Sequence, residues 1–456
     1  MNTGVSSSAF SVMEKEGLTT LEIFHNKKED RFLLRGMKEW DDDVRWDRYM
    51  VDFTPEDILT DDYRAVGTET LLATFSELGL KDYLEQVEQL LREGKHHGIE
   101  FYYNRQKNIR VMYCKHVNTL GIRNRRHAIR SGGIRRHELD EPELDALVDG
   151  LNLARAMAYK NATANIPYGG CKTVVQCEPV KRDDFEMMGF LGYVIHRIRT
   201  FTGPDMGFEA GMADTIREKF TKAITGGTKS PTGPTGGPTA YGEYLATREA
   251  CNSTYGSNGI SNRKIAIQGL GEVGYPLAKY LLDDGAQLIV TDVDLSRVRT
   301  LQQQYGSDSV KYVTPDEIYT VDANVFAPCA MGGIITEEMI PRFKFRIIIG
   351  SANNQLRATS KEAELKLAKK LADAGILFVI DWAHNTGGVI AGWAEWLLQE
   401  RVSLDKIKPK VELVCRDNFR KLLEEARETG KTPTELIYEK VEDMVYSGAE
   451  FSELIW

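Results

Sequence analysis

The chain has 456 residues, 42% of them hydrophobic and 27% charged. That is ordinary for a globular protein and too long for one core, so two or three domains are expected. The formal net charge of −9, from 58 basic and 67 acidic residues, argues against nucleic-acid or anionic-membrane binding, since both need a basic face.

No apolar run approaches the ~20 residues of a membrane span, and the N-terminal "MNTGVSSSAFSVMEKEG" lacks a signal-peptide apolar region. Cysteines are scattered at 114, 171, 177, 251, 329 and 415, with no CxxC pair or His-rich partner to hold a metal. A reduced, cytoplasmic chain without a metal site is the expectation.

Taken in order, residues 1 to about 98 are acidic and aromatic. They include an amphipathic helix with Leu84, Val87, Leu90 and Leu91 on one face. "IEFYYNRQKNIRVMYCKH" reads as a hairpin around "NRQKN". From Pro142 to Lys160, Leu144, Leu147, Val148, Leu151, Ala154 and Ala158 keep helical spacing, and Pro142 suits a first turn. "NIPYGGCKTVV" follows, a glycine turn running into a β-branched stretch, with Lys172 at the mouth of a buried strand. "TGGTKSPTGPTGGPTAYG" (Thr225 to Gly242) has linker composition, though such loops can also be ordered walls of a cleft. Beyond it, short apolar strands at Ile265–Gln268, Gln287–Asp292, Asn324–Ala327, Arg346–Gly350 and Ile376–Asp381 alternate with helical segments. This is the pattern of a parallel sheet covered on both faces. The tail after Ile390 is helical.

The most specific short signal is "KIAIQGLGEVGYPLAKYLLDDGAQLIVTDVD". Gly269, Gly271 and Gly274 stand in GxGxxG order after one strand and at the start of a helix. Gly269 serves a tight turn, Gly271 lets the backbone approach a pyrophosphate, and Gly274 permits close helix–strand packing. The helix N-terminus offers free N–H groups to the phosphates. Asp292 follows at close to the roughly 20-residue interval of the acid that bonds the adenosine ribose, and it repels a 2′-phosphate. NAD is therefore expected rather than NADP. A Rossmann-like domain that holds no cofactor, or a different nucleotide, is the alternative.

Lys160 in "MAYKNA", Lys172 in "GGCK" and Asp205 in "TGPDMGF" all lie beside glycine turns. On composition they read as solvated loop charges, since most lysines are at the surface. Read together, they describe a site that binds an anion and moves protons, in which a desolvated lysine near another cation has its pKa lowered.

"SGGIRRHELDEPELDALVDGLNLARAMAYKNATANIPYGGCKTVV" resembles the substrate domain of the amino acid dehydrogenases for glutamate, leucine, valine and phenylalanine. The likeness continues in family order through "TGPDMG", "GPTAYG", "GLGEVG", "FAPCAMGG", "GSANNQL" and "DWAHNTGGVI". "LTTLEIF" near Leu18 also resembles the start of leucine dehydrogenases. The resemblance implies an α/β chain of two domains: a substrate and oligomerisation domain over 1–238, and a Rossmann-type, doubly wound NAD domain over 239–390. Helices over 391–456 would pack back on the first. It implies catalytic roles for Lys172, which activates water or amine, and for Asp205, which shuttles protons. Lys160 would pair with the substrate α-carboxylate. Ser131, Gly132, Gly133, Gly203, Asn354, Asn385 and Val389 would line the substrate. Thr239, Gly269, Gly271, Glu272, Val273, Gly274, Asp292, Val293, Cys329, Ala330 and Asn353 would line NAD.

Some positions depart from the family pattern. Cys171 replaces a glycine and reads as a packing residue. Residues 27–98 lack a clear counterpart in leucine dehydrogenases and are a candidate dimerisation element. Ser131 stands where glutamate dehydrogenases carry the lysine that holds the substrate side-chain carboxylate, although Arg130 could reach in. Gly203 and Gly392 are smaller than usual. A pocket without a cation disfavours a buried carboxylate, so bulky apolar L-amino acids, aromatic first and then branched-chain, are expected with their 2-oxo acids and ammonia. Glutamate or a non-standard amino acid is the alternative substrate, and a non-catalytic NAD sensor on the same fold is the alternative class. A homo-oligomer is expected.

Overall fold

The computed structural model describes residues 8–117, 129–198, 200–256, 259–358 and 360–446. The chain divides into two compact units. The first takes the chain through Ala162, then Ile166–Pro234 and Glu395–Arg401. The second takes Thr163–Asn165, Thr235–Ala394 and the chain from Val402 onward.

The first unit is built on an eight-stranded mixed sheet. Its strands are β1 (Thr20–Asn26), β2 (Arg31–Lys38), β3 (Arg64–Val66), β4 (Gly98–Asn104), β5 (Ile109–Lys115), β6 (Arg130–His137), β7 (Gly169–Gln176) and β8 (Phe201–Pro204). Their order across the sheet is β3-β2-β1-β4-β5-β7-β6-β8. The hairpin expected around "NRQKN" is β4–β5, antiparallel in register from Gly98 with Lys115 to Asn104 with Ile109. β7 pairs antiparallel with β5 and parallel with β6, and β6 pairs parallel with β8.

Every residue of β7 is buried, because helices cover both faces. The helix Glu143–Thr163 follows Pro142 as expected and packs Leu147, Leu151 and Ala154 against Cys114 and Val174. It can lie this close because Gly170 has no side chain: a Cβ there would stand 2.1 Å from the Ala154 carbonyl oxygen. Asn165, at φ +50°, turns the chain toward β7. On the opposite face the helix Phe185–Ile198 packs Phe190, Tyr193 and Val194 with Tyr113, Ile134 and Cys171. Residues 27–98 form β2, β3 and the helices Thr68–Glu77 and Lys81–Glu93 at one end of the sheet.

The second unit carries a six-stranded sheet: β9 (Lys264–Gln268), β10 (Gln287–Thr291), β11 (Val310–Tyr312), β12 (Val325–Pro328), β13 (Ile347–Ile348) and β14 (Leu377–Phe378). Every pairing is parallel, in the order β11-β10-β9-β12-β13-β14. The chain order reverses beside β9, between β10 and β12, which makes the carboxyl ends of β9 and β12 the topological switch point. β11 has three residues, too few to register in the sequence pattern.

One expectation about organisation needs correction, and an open one is resolved. The Thr225–Gly242 stretch carries the change of unit at Pro234 and Thr235 and is ordered: Gly236 opens the helix Gly236–Tyr255, and the Thr225 N–H donates to the Thr202 carbonyl. Of the C-terminal residues, only Glu395–Arg401 fall with the first unit. From Val402 onward the helices belong to the second.

Candidate active site

Lys172 is on the central strand of the first unit, 3% exposed. The pairing of Ser131 with Gly170 and of Ile134 with Thr173 sets Lys172 level with Gly133, and Gly133 is paired with Gly203. Parallel partners share a face, so Lys172 is followed across the sheet by two residues without side chains. The opening is filled from the end of β8: Asp205, the residue after that strand, forms an ion pair and hydrogen bond with the Lys172 ammonium. A Cβ on Gly133 would lie 3.2 Å from Lys172 Nζ and 3.4 Å from the Asp205 Cβ. Glycine at 133 leaves the two charges room to meet.

The pair is the head of a longer chain of charges. The Arg135 Nη2 lies 3.4 Å from an Asp205 carboxylate oxygen, and its Nη1 donates to both oxygens of Asp149, at 3.2 and 3.1 Å. The His137 Nε2 stands 3.2 Å from Asp149, and its Nδ1 2.9 Å from Glu141. Burial opposes ionisation of Asp205, but the Lys172 and Arg135 charges and the Met206 N–H (2.7 Å) outweigh it and hold the carboxyl well below its usual range. Asp205 is therefore a carboxylate at neutral pH. Arg135, Asp149 and His137 were not anticipated. The alternation Ser131, Gly133, Arg135, His137 on one face of β6 carries the signal for two of them.

Lys160 lies in the last turn of the helix Glu143–Thr163, two residues beyond Ala158, whose backbone abuts Gly170. Ser131 is fully buried and exchanges hydrogen bonds with Asn161 at 3.0 and 2.8 Å. Arg130 alternates to the other face, with its Nε on the Val117 carbonyl (3.0 Å), so it adds no cation beside Lys172. A Cβ on Gly132 would meet the Cys171 carbonyl at 2.1 Å, and one on Gly203 would meet the Thr225 carbonyl at 3.3 Å. Gly203 thus borders the Thr225 segment, and the space expected beside it is bounded. Cys171 is buried with its Sγ 3.4 Å from Thr200 Oγ1, and burial pushes its thiol pKa up. It packs and is not poised as a nucleophile.

In the second unit the fingerprint residues gather at the switch point. Gly269 has φ +93°, and a Cβ there would strike Ala330 at 2.8 Å, in the loop that Cys329 opens after β12. Gly274 is 2.0 Å in the same sense from the Gly269 carbonyl, whereas a Cβ on Gly271 would meet only Arg297, at 3.8 Å. This loop leaves room on its outer side at Gly271, as a dinucleotide phosphate needs. Glu272 and Val293 are exposed and Val273 half-buried. Asp292 accepts the Leu270 N–H at 2.5 Å and the Asp294 N–H at 2.7 Å, which fixes its carboxylate at the end of β10.

A second cluster in this unit joins the remaining motifs. Asn385 Nδ2 donates to Asn353 Oδ1 (3.1 Å), and a Cβ on Gly388 would meet Thr239 Oγ1 at 2.6 Å. Asn354 sits at φ +53°, with its carbonyl bonded to the Gly333 N–H (2.7 Å). Val389 is buried in the helix Gly387–Leu398. Next to Asn385, His384 and Glu243 form a fully buried pair at 3.0 Å, unforeseen from sequence. Among the described residues no cluster of His, Cys, Asp or Glu could hold a metal ion, and no helix is long and apolar enough to cross a membrane.

Comparison with known proteins bears on both units. Residues 121–222 match the family model of the Glu/Leu/Phe/Val dehydrogenase dimerisation domain, and residues 292–442 that of the glutamate/leucine/phenylalanine/valine dehydrogenases. The leucine dehydrogenase of Thermoactinomyces intermedius is 36% identical over 333 residues, 72% of this chain and 84% of that one. The L-tryptophan dehydrogenase of Nostoc punctiforme is 32% identical over 360 residues, 78% and 95% of the two chains. Its crystal structure aligns with a TM-score of 0.62, covering 79% of this chain and 98% of that one. A hetero-hexameric glutamate dehydrogenase from Thermus thermophilus, 18% identical, shares the fold at a TM-score of 0.58 over 82% and 97% of the chains. With the matched dimerisation-domain segment folded around the Lys172–Asp205 pair and its glycine fingerprint at the switch point, the chain belongs to the Glu/Leu/Phe/Val dehydrogenase family and is an NAD(P)-dependent amino acid dehydrogenase.

Proposed function

We propose that this enzyme deaminates an L-amino acid with a bulky apolar side chain, aromatic or branched-chain, using NAD, and runs the reverse reductive amination of the 2-oxo acid. The observation that carries the reading is the row Lys172, Gly133, Gly203 closed by Asp205, together with Ser131 turned onto Asn161 where glutamate enzymes place a cation. A substrate carboxylate side chain buried there without a partner would be strongly disfavoured. The relatives named leucine, phenylalanine and tryptophan dehydrogenases support the same class of substrate.

When bound, the nicotinamide supplies the hydride acceptor for the substrate α-carbon in deamination and the donor in the reverse direction. Lys160 holds the α-carboxylate by a charge-assisted contact. Lys172 orients and activates the water that attacks the imine carbon, and Asp205, kept ionised by Lys172 and Arg135, takes up the proton released and returns it to the departing nitrogen. Asn354 and Asn385 would line the nicotinamide side, with Thr239, Asn353, Cys329 and Ala330 along the ribose. The fixed Asp292 carboxylate favours NAD through repulsion of a 2′-phosphate. Arg297 gives NADP a second reading, because its Nη1 reaches the Leu270 carbonyl at 3.1 Å beside the same loop; an arginine there can accommodate the extra phosphate. A cytoplasmic homo-oligomer completes the proposal. Leu59, Tyr63, Leu72 and Leu78 are all exposed within the 27–98 segment and are apolar side chains available to a second copy.

The test is a panel of 2-oxo acids with ammonia and NADH or NADPH, followed at the reduced-nicotinamide absorbance. Phenylpyruvate, indole-3-pyruvate or 4-methyl-2-oxopentanoate should be consumed fastest and with NADH. Faster turnover of 2-oxoglutarate would overturn the substrate class, and a preference for NADPH the cofactor.

A further inference from the structure

The first unit contains a cleft of about 960 Å³ that shares no residue with the Lys172 and Asp205 group. Its walls are aromatic and apolar: Trp396, whose ring stacks on Phe201 with centroids 6.3 Å apart, and Phe220, stacked on Tyr49 at 6.4 Å.

The charge around this floor is unbalanced. Of the acids nearby, Glu218 is taken up by Lys229 (2.6 Å), while Glu395 and Glu400 are taken up by Arg217 (3.3 Å each). Lys219 lies over the Phe185 ring at 4.4 Å, with no carboxylate partner among the described residues. Lys222 has no ion-pair or hydrogen-bond partner among the described residues, and both lysines are exposed at the rim. Two cations thus stand unneutralised beside an aromatic floor.

Met50 also lines the cleft and is 43% exposed, and its flexible thioether adapts readily to an apolar ligand.

We propose that this cleft is a second ligand site, separate from the catalytic one, for a small aromatic carboxylate. The flat apolar body would lie on Trp396 and Phe220, and the anion would be held by Lys222 and Lys219. An apolar pocket with a few convergent polar groups is the usual form of such sites.

Calorimetric titration of the full chain with naphthalene-1-acetate, and with the uncharged naphthalene-1-ethanol, tests this. The acid should bind at least tenfold more tightly than the alcohol, and less tightly as salt is raised. Lys222→Glu should weaken the acid at least tenfold, Lys222→Met should do so more mildly, and Lys160→Ala should leave this binding within twofold. Absence of binding, equal affinity for acid and alcohol, or loss with Lys160→Ala in place of Lys222→Glu would overturn the site. So would a Lys222→Glu variant whose only change is in oligomeric mass by light scattering, which would make the cleft an interface between copies.

Discussion

At Gly133 a missing side chain leaves room for the two charges at the centre of this enzyme to meet. A methyl group there would stand 3.2 Å from Lys172 Nζ and 3.4 Å from the Asp205 Cβ. Those atoms would have to give way by a few tenths of an ångström. Gly133→Ala should lower kcat roughly tenfold, since small misplacements of a catalytic group are felt strongly in the rate, while the melting temperature stays nearly constant. A variant with unchanged kcat would mean that the ion pair is not the working geometry. Lys172→Ala and Asp205→Asn should each lower turnover by about 10²-fold or more, the range for a lost acid–base group, with NAD affinity preserved. Lys160→Ala should instead raise KM, because it would remove the proposed contact to the substrate carboxylate. Ser131→Lys tests the side-chain pocket: if the serine position is what excludes glutamate, 2-oxoglutarate should become measurably reducible.

At the scale of elements, the ends of the β4–β5 hairpin bring two buried histidines together. His96 and His116 lie with their Nδ1 atoms 3.0 Å apart, both nearly or fully inaccessible. Burial, reinforced by nearby cations, pushes both pKa values well below the ordinary histidine value. Protonation is then harder in the folded chain than in the unfolded one. Stability from this pair is fully present above the unfolded value of about 6.5 and is lost as pH falls below it, by as much as ~1.4 kcal/mol per pH unit for each ring. Thermal melts between pH 7.5 and 5 should show a falling midpoint that His116→Phe makes shallower; an unchanged slope would remove the pair from the explanation. His384 behaves oppositely. Burial disfavours its charge, but Glu243 overrides this and raises its pKa. Its contribution is complete below the unfolded value and is lost as pH rises through the folded one. Glu243→Gln should cost on the order of 3 kcal/mol, the scale for breaking a buried pair, and should loosen the Asn385 loop beside it. At the end of β10, Asp292→Ser should narrow the proposed preference of NAD over NADP; an unmoved preference would mean that Asp292 does not set the choice.

At the scale of the whole molecule, what could be read from residues alone was whatever depends on near neighbours in the chain. The glycine fingerprint, the helix after Pro142, the β4–β5 hairpin and the parallel alternation beyond Lys264 are patterns over tens of residues, and each folds as its pattern predicts. The motifs also marked Lys172 and Asp205, 33 positions apart. Sequence could not say that a β7–β6–β8 register would bring these two to one spot across two glycines, because register is set by strand pairing, not by spacing. Nor could it show that Ser131 turns onto Asn161, that Arg130 faces the opposite side of β6 from Lys172, or that Arg135 and Asp149 extend the charge chain from Asp205. The Thr225–Gly242 stretch stays open between joint and ordered wall for a related reason. Its glycine and proline content signals a flexible joint, but helix formation from Gly236 and a backbone bond from Thr225 to the β8 edge make it ordered. Composition reports what a segment can do in isolation, while burial and pairing with distant strands decide what it does. The sequence by itself determined the family, the cofactor fold and the identity of the two central charges; only the tertiary structure decided their partners, because a buried charge takes its partner from whichever residue the sheet register places beside it.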